Sequence, residues 1–193
     1  MFTKDTFIGP NAVKTLAYDT LIEHGISALP LTLPYRSRNI VTFSIQFLAK
    51  CFHEDVKVYN FVGEYGFCCY EPKHEQYVIF YNANLPEEMI RWVKAMGIAY
   101  AELGVLDRTD YKFINLHDAA AEEFCHYFTS PDVILNECQI CSSEEIMKYC
   151  GIPFRQARKK QKNLTLPQKN KAGTVLEKLL KERFSEFIRH FKY

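Results

Sequence analysis

The chain has 193 residues, 48% of them hydrophobic and 24% charged, enough for one sizeable core with a small appended element and too few for two full domains. The net charge of +1 hides an asymmetry: from Arg155 to Tyr193 there are 12 basic residues against three acids, so an acidic body carries a basic end. No apolar run approaches the roughly 20 residues of a membrane span, the start lacks the pattern of a signal peptide, and the seven cysteines are odd in number and irregularly spaced. A cytoplasmic protein with reduced cysteines and no membrane partner is expected.

The first element is "PNAVKTLAYDTLIEHG", Pro10 to Gly25, where Val13, Leu16, Ala17, Leu21 and Ile22 recur at helical spacing before a glycine stop. A proline-punctuated connector, "ISALPLTLPYRSRN", leads into "IVTFSIQFLAKCF". The β-branched residues of that run favour strand and its length favours helix; it is read as a helix. Two or three short strands are expected in "VKVYNFVGEYGFCCYEPKHEQYVIFYNAN", the clearest being Gln76 to Tyr81.

From Leu85 the period turns helical. Pro86 suits a first helical position, Glu87 and Glu88 suit the positive end of the dipole, and Ile90, Val93, Ile98 and Ala101 continue one apolar face to Leu103. A further helix in "HDAAAEEFCHYFTS" starts at Asp118 and stops before Pro131. In "SSEEIMKYCGIPFRQARKKQKNL" Ser142 or Ser143 caps a short helix, Gly151 turns the chain and Phe154 opens a second one. After the polar linker "NLTLPQKNKAG", the tail "TVLEKLLKERFSEFIRHFKY" reads as one amphipathic helix with Val175, Leu179, Leu180, Phe184 and Phe187 on one side.

These motifs, in this order, resemble the ImmA/IrrE-type metallopeptidases over most of residues 10 to 165. "AYDTLIEHGISALPLTLP" is similar to the family's first helix and its I-x-x-L-P connector. "YVIFYNANLPEEMIRWVKA" is similar to its strand, N-x-x-L-P-E-E turn and the start of its R-F-T-x-A-H-E-x-G-H helix. "AAAEEFCHYFTSP" and "SSEEIMKYCGIPFRQARKKQKNL" resemble the later helix and the helix-turn-helix-like closing piece. The resemblance implies an α+β fold: a mainly helical, zincin-like peptidase scaffold with a small β-sheet, a helix-turn-helix-like segment and a C-terminal helix. It places a peptidase-type domain at 1–165, with the helix-turn-helix-like segment at 140–165, and a basic linker and amphipathic helix at 166–193.

In that family two histidines at i and i+4 share a helix face and hold zinc, while the glutamate beside the first polarises water. Carried over, those three positions are Met96, Gly97 and Tyr100. A thioether is a poor zinc ligand, glycine carries no base, and a phenol with a pKa near ~10 is rarely a ligand. A frame shifted onto Ala101 to Val105 loses both histidines as well. The family's acidic third ligand corresponds to Asp118 or Ala120. No catalytic residue and no cofactor are therefore expected, although zinc serves the resembled family. Glycine inside a helix costs roughly 1 kcal/mol relative to alanine, so Gly97 implies either close packing against it or drift after catalysis was lost.

Other constellations carry candidate chemistry. Glu122 and His126, four apart, with His117 and Asp118 before them, offer an alternative metal set, though such a pair is more often a surface interaction. Cys138 and Cys141 have the spacing of half a zinc knuckle or a redox pair, against packing cysteines. No glycine-rich phosphate loop occurs. The basic segment offers Arg155, Gln156, Arg158, Lys159 and Lys160 as contacts to nucleic acid or to a protein. Zinc peptidases of this kind take an extended chain as an added strand, which here assigns Gln76, Tyr77, Val78, Ile79, Phe80 and Tyr81 as a peptide-binding strand. The sequence thus points to an inactive pseudo-peptidase that binds a protein, with a helix-turn-helix repressor of a mobile element or stress response as the implied class. A divergent zinc peptidase and a nucleic-acid-binding regulator are the alternatives.

Overall fold

The computed structural model describes residues 10–33, 36–37, 39–47, 64–106, 111–164 and 173–192. It is an α+β protein whose contacts divide it into two compact units, one within Leu33–Glu122 and the other joining the first helix and its connector to Glu123–Tyr193. The C-terminal helices pack with the first helix and belong to the second unit.

The first unit is built on a five-stranded sheet among the described residues, in the order β1-β2-β4-β3-β5. Its strands are β1 (Arg36–Ser37), β2 (Ile40–Ser44), β3 (Gly66–Glu71), β4 (Gln76–Tyr81) and β5 (Tyr111–Phe113). β2 and β4 run parallel and every other pair is antiparallel. β2 corrects the helical reading of "IVTFSIQFLAKCF": its β-branched residues pair with β4 from Ile40 opposite Tyr77 to Ser44 opposite Tyr81, and only residues 45–47 turn helical. The remainder of that run, and any strand expected at 56–63, lie outside the described residues.

Residues directly opposite one another share a face of the sheet, so the register sorts the strands into two rows. Thr42, Ile79, Cys68 and Lys112 form one row across β2, β4, β3 and β5. Phe43, Phe80, Phe67 and Phe113 form the other, with neighbouring ring centroids 5.9, 4.6 and 6.3 Å apart. Against the Ile79 row lies α2 (Glu87–Glu102), whose residues from Trp92 to Ala101 are all buried except Lys94. The turn into α2 is tied by Asn82, whose side-chain oxygen accepts from Gln46 Nε2 at 2.8 Å and from the Asn84 amide at 3.0 Å.

α3 (Ala119–Thr129) begins where Asp118 accepts the Ala121 amide at 3.2 Å, as its Asp start implies. In the second unit, α1 (Pro10–Glu23) buries Val13, Ala17, Tyr18 and Leu21, and Gly25 ends the turn at φ +70°. α4 (Asp132–Glu137) leads to α5 (Ser143–Cys150) and α6 (Phe154–Asn163). The terminal segment is two helices, α7 (Val175–Arg183) and α8 (Ser185–Lys192), rather than one, because the chain leaves helical geometry at Phe184 (φ −90°, ψ 12°). α7 lies along α1, with Lys14 Nζ donating to Glu177 Oε1 at 2.8 Å and Arg183 to the Ile22 carbonyl at 3.2 Å. Lys181 donates to Glu137 of α4, and Tyr149 of α5 meets Phe191 of α8 edge-on at 4.8 Å.

Candidate functional site

Two regions carry residues singled out by the sequence: the middle of α2, and the α5-turn-α6 segment. On α2, Met96, Gly97 and Tyr100 are interior positions, and Met96 and Tyr100 have 0% exposure. Gly97 packs directly against the sheet. A Cβ added there would stand 2.7 Å from Cγ2 and 2.9 Å from Cδ1 of Ile79 in β4, nearer than real Cβ atoms come. Of the two sequence implications for Gly97, close packing is the one observed; the strand residue occupies the space a longer side chain would need.

Tyr100 is engaged too. Its hydroxyl accepts the Asn115 backbone N–H at 3.2 Å, and the Lys112 ammonium lies 4.5 Å from its ring centroid. The same ammonium is 3.8 Å from Asp118 Oδ2, both groups being partly exposed. Lys112 was not singled out by the sequence, since only the pairing of β5 with β3 brings it under α2. A fixed positive charge between Tyr100 and Asp118 supplies the counter-charge that carboxylate needs and repels any second cation placed there. Beside it, burial pushes the Cys68 thiol up to about 12, with the neighbouring Cys69 adding to the rise and Lys112 opposing it. The residues present at the resembled zinc positions do not fit a zinc ion: a thioether, a bare backbone and a hydrogen-bonded phenol beside an ammonium.

The alternative metal residues are not gathered. His117 is exposed and its amide donates to Asn115 Oδ1 at 3.0 Å, while Asp118 caps α3 and faces Lys112. Together with Glu122 and His126 they form no group of three or more potential ligands, and no such group exists elsewhere among the described residues. Cys138 is buried and Cys141 exposed, neither in a disulfide, and burial pushes Cys150 up to about 12.

The proposed peptide-binding strand needs correction. Gln76, Tyr77, Val78, Ile79, Phe80 and Tyr81 form β4, which hydrogen-bonds β2 on one side and β3 on the other. An interior strand has no unpaired edge, so an extended peptide cannot be added to it. The local pattern showed a strand but not its neighbours, because β2 approaches from more than 30 residues earlier.

α5 and α6 are joined by a three-residue turn, Gly151 to Pro153, in which Gly151 takes the left-handed conformation (φ 58°, ψ 41°) and its amide reaches the Met147 carbonyl at 2.9 Å. The start of α5 is a full capping box: Ser142 Oγ accepts the Glu145 amide at 3.2 Å and the Glu145 carboxylate accepts the Ser142 amide at 3.0 Å. The Ser142 and Cys141 amides that donate to its carboxylate hold Glu145 below the usual carboxylate range. Ile146, Cys150, Ile152 and Ala157 form the inner side of the pair.

The candidate contacts on α6 separate by face. Arg155 and Arg158 are exposed and Lys159 is half-buried. Gln156 and Lys160 are buried at 6% and 2% exposure, which removes both from the contact set. Lys160 ion-pairs with Asp132 of α4, itself buried, and lies 4.9 Å from the Tyr127 ring centroid. Burial holds its ammonium below the usual lysine range despite the pull of Asp132. It is an internal pin and not a surface charge.

Compared with known proteins, the chain matches no family model, no curated protein and no solved structure. Among the described residues no helix is long and apolar enough to cross a membrane.

Proposed function

We propose that this protein is a non-catalytic relative of the metallopeptidase scaffold it resembles, acting by binding a protein partner without cutting it. A transcriptional regulator of a mobile element or stress response is the partner class the resemblance suggests. The observation that carries the reading is the contact of Gly97 with Ile79. It fills with core packing the position that the resemblance gives to the water-polarising glutamate, while Met96 and Tyr100 on either side are fully buried.

The binding half of the proposal draws on a different surface from the one expected. Strand addition along β4 has no geometric basis. In its place α7 offers Val175 and Leu179, exposed at 75% and 47% one helical turn apart, on a helix whose other side is anchored by the buried Leu180. Apolar side chains paired in this way on a well-anchored helix suit contact with another protein.

The test uses the purified full chain. After incubation with zinc and dialysis, elemental analysis should find no stoichiometric metal. Mixed with helix-turn-helix regulators, with and without zinc, the chain should leave any it binds at full length. Binding should weaken when Val175→Asp and Leu179→Asp are combined. Stoichiometric zinc accompanied by metal-dependent cleavage would establish a divergent peptidase instead and overturn the proposal.

A further inference from the structure

We infer that α5 and α6 form a duplex-DNA-binding element, with α6 as the helix that enters the major groove and α5 as the helix that crosses the backbone. These helices belong to the second unit and the α2 positions to the first, and the inference does not rest on the proposed absence of catalysis.

The first support is geometry. Two helices joined by a three-residue turn pivoting on a left-handed glycine are the arrangement in which a second helix is presented to DNA. The pair is also rigid. It is capped at Ser142, turned at Gly151, and fixed from behind by Lys160 on the buried Asp132. Rigidity matters because a helix that must fit a groove loses affinity when it has to be ordered on binding.

The second support is the charge of the exposed face. α6 carries five basic residues and no acid. With Lys160 withdrawn into the core, Arg155, Arg158 and Lys162 remain on the exposed side, recurring at i, i+3 and i+7 and therefore on one stripe. Phosphate backbones are the chemistry such a stripe fits, since each neutralised phosphate releases counterions. Lys148 is exposed on α5 and sits over the Tyr149 ring at 5.0 Å. The acids of α5, Glu144 and Glu145, stand in its first turn, at the far end from the Gly151 turn.

The third support is the set of side chains at the start of α6, the part of a groove-bound helix that meets base edges. Phe154 is 47% exposed and is flanked by the exposed Arg155. An apolar group suits a thymine methyl and arginine suits the acceptor edge of guanine. Gln161, exposed further along, adds a polar reader.

Fluorescence anisotropy of the full chain with a labelled duplex of about 24 base pairs tests the assignment. If three phosphates are neutralised, affinity should fall roughly 40-fold between about 50 and about 200 mM salt. The variant R155A/R158A/K162A should bind at least about tenfold more weakly at the lower salt and lose most of the salt dependence. Its urea midpoint should match that of the parent, because all three side chains are exposed. Lys73→Ala, a surface charge in the other unit, should bind as the parent does. Failure of the parent chain to bind at the lowest salt, equal binding by the triple variant, or tighter binding to an RNA duplex or an acidic protein would overturn the inference.

Discussion

Substituting alanine for Gly97 separates a helix kept for packing from one kept for chemistry. In an unconstrained helix the change should stabilise by about 1 kcal/mol. Here the new methyl would meet Cγ2, Cδ1 and Cγ1 of Ile79 at 2.7, 2.9 and 2.9 Å, where ordinary contact begins at 3.4 Å. Ile79 has 0% exposure and sits on an interior strand, so neither its side chain nor β4 can yield cheaply. Overpacking of this kind costs about 1 to 3 kcal/mol, and three simultaneous overlaps place it toward the upper end. The net effect of Gly97→Ala is a loss of about 1 to 2 kcal/mol. Ile79→Ala alone should cost about 2 to 5 kcal/mol through the cavity it leaves. In that background the offending atoms are gone, and Gly97→Ala should become neutral or favourable by up to about 1 kcal/mol. The double-mutant cycle should therefore show a coupling of about 1 to 3 kcal/mol, outside the roughly 0.5 kcal/mol scatter of independent sites. The single tryptophan, Trp92, is fully buried on the same helix, so urea unfolding followed by its fluorescence reads the unit that holds α2. A Gly97→Ala protein more stable than the parent, with no coupling to Ile79, would refute the close approach and the closed site with it.

The Lys160–Asp132 pair makes a second prediction: Lys160→Met or Asp132→Leu alone should cost about 3 to 5 kcal/mol in urea unfolding followed by circular dichroism, and the double variant should recover most of it. Losses that add instead of cancelling would count against a mutually compensating buried pair. Tyr100→Phe should cost about 1 kcal/mol, because it removes the acceptor of the Asn115 amide and leaves the ring in place. Acid should loosen the capped helices. Glu145 is held low by the Ser142 and Cys141 amides; at Glu177 burial acts upward but the bonds from Lys14 and Thr174 prevail. A depressed carboxylate contributes stability above its unfolded pKa of about 4.3 and loses it as pH falls through the folded value, so the urea midpoint should drop below about pH 4.5. In Glu145→Gln with Glu177→Gln that acid-dependent part of the drop should be smaller, and an unchanged drop would refute the assignment.

What was legible in the sequence was what short-range chemistry determines. The span of α2, the Asp118 start of α3, the Ser142 cap and the Gly151 turn all depend on residues within a few positions of one another, and each is found where the pattern placed it. β2 was misread because Ile40 to Ser44 is apolar and β-branched in a way that either state permits, and the pairing with β4 decides it. The interior place of β4 was invisible for the same reason, since no local feature says which strands flank it. Lys160 is a different kind of miss. In "RQARKKQK" it looks like one more solvated charge, yet it falls three residues after Ala157 and four after Gln156, on the inward stripe of α6. That helical period was readable; the buried partner Asp132, 28 positions earlier, was not.

These two misreadings bear on function in opposite directions. The interior position of β4 removes a binding mode that depended on a free strand edge. The burial of Lys160 strengthens the case for the basic helix, because one charge is spent fixing α6 in place while Arg155, Arg158 and Lys162 stay at the surface. A uniformly solvated basic helix would need no such anchor. On the proposed reading, an anchored helix with a sorted face presents Arg155, Arg158 and Lys162 to a partner.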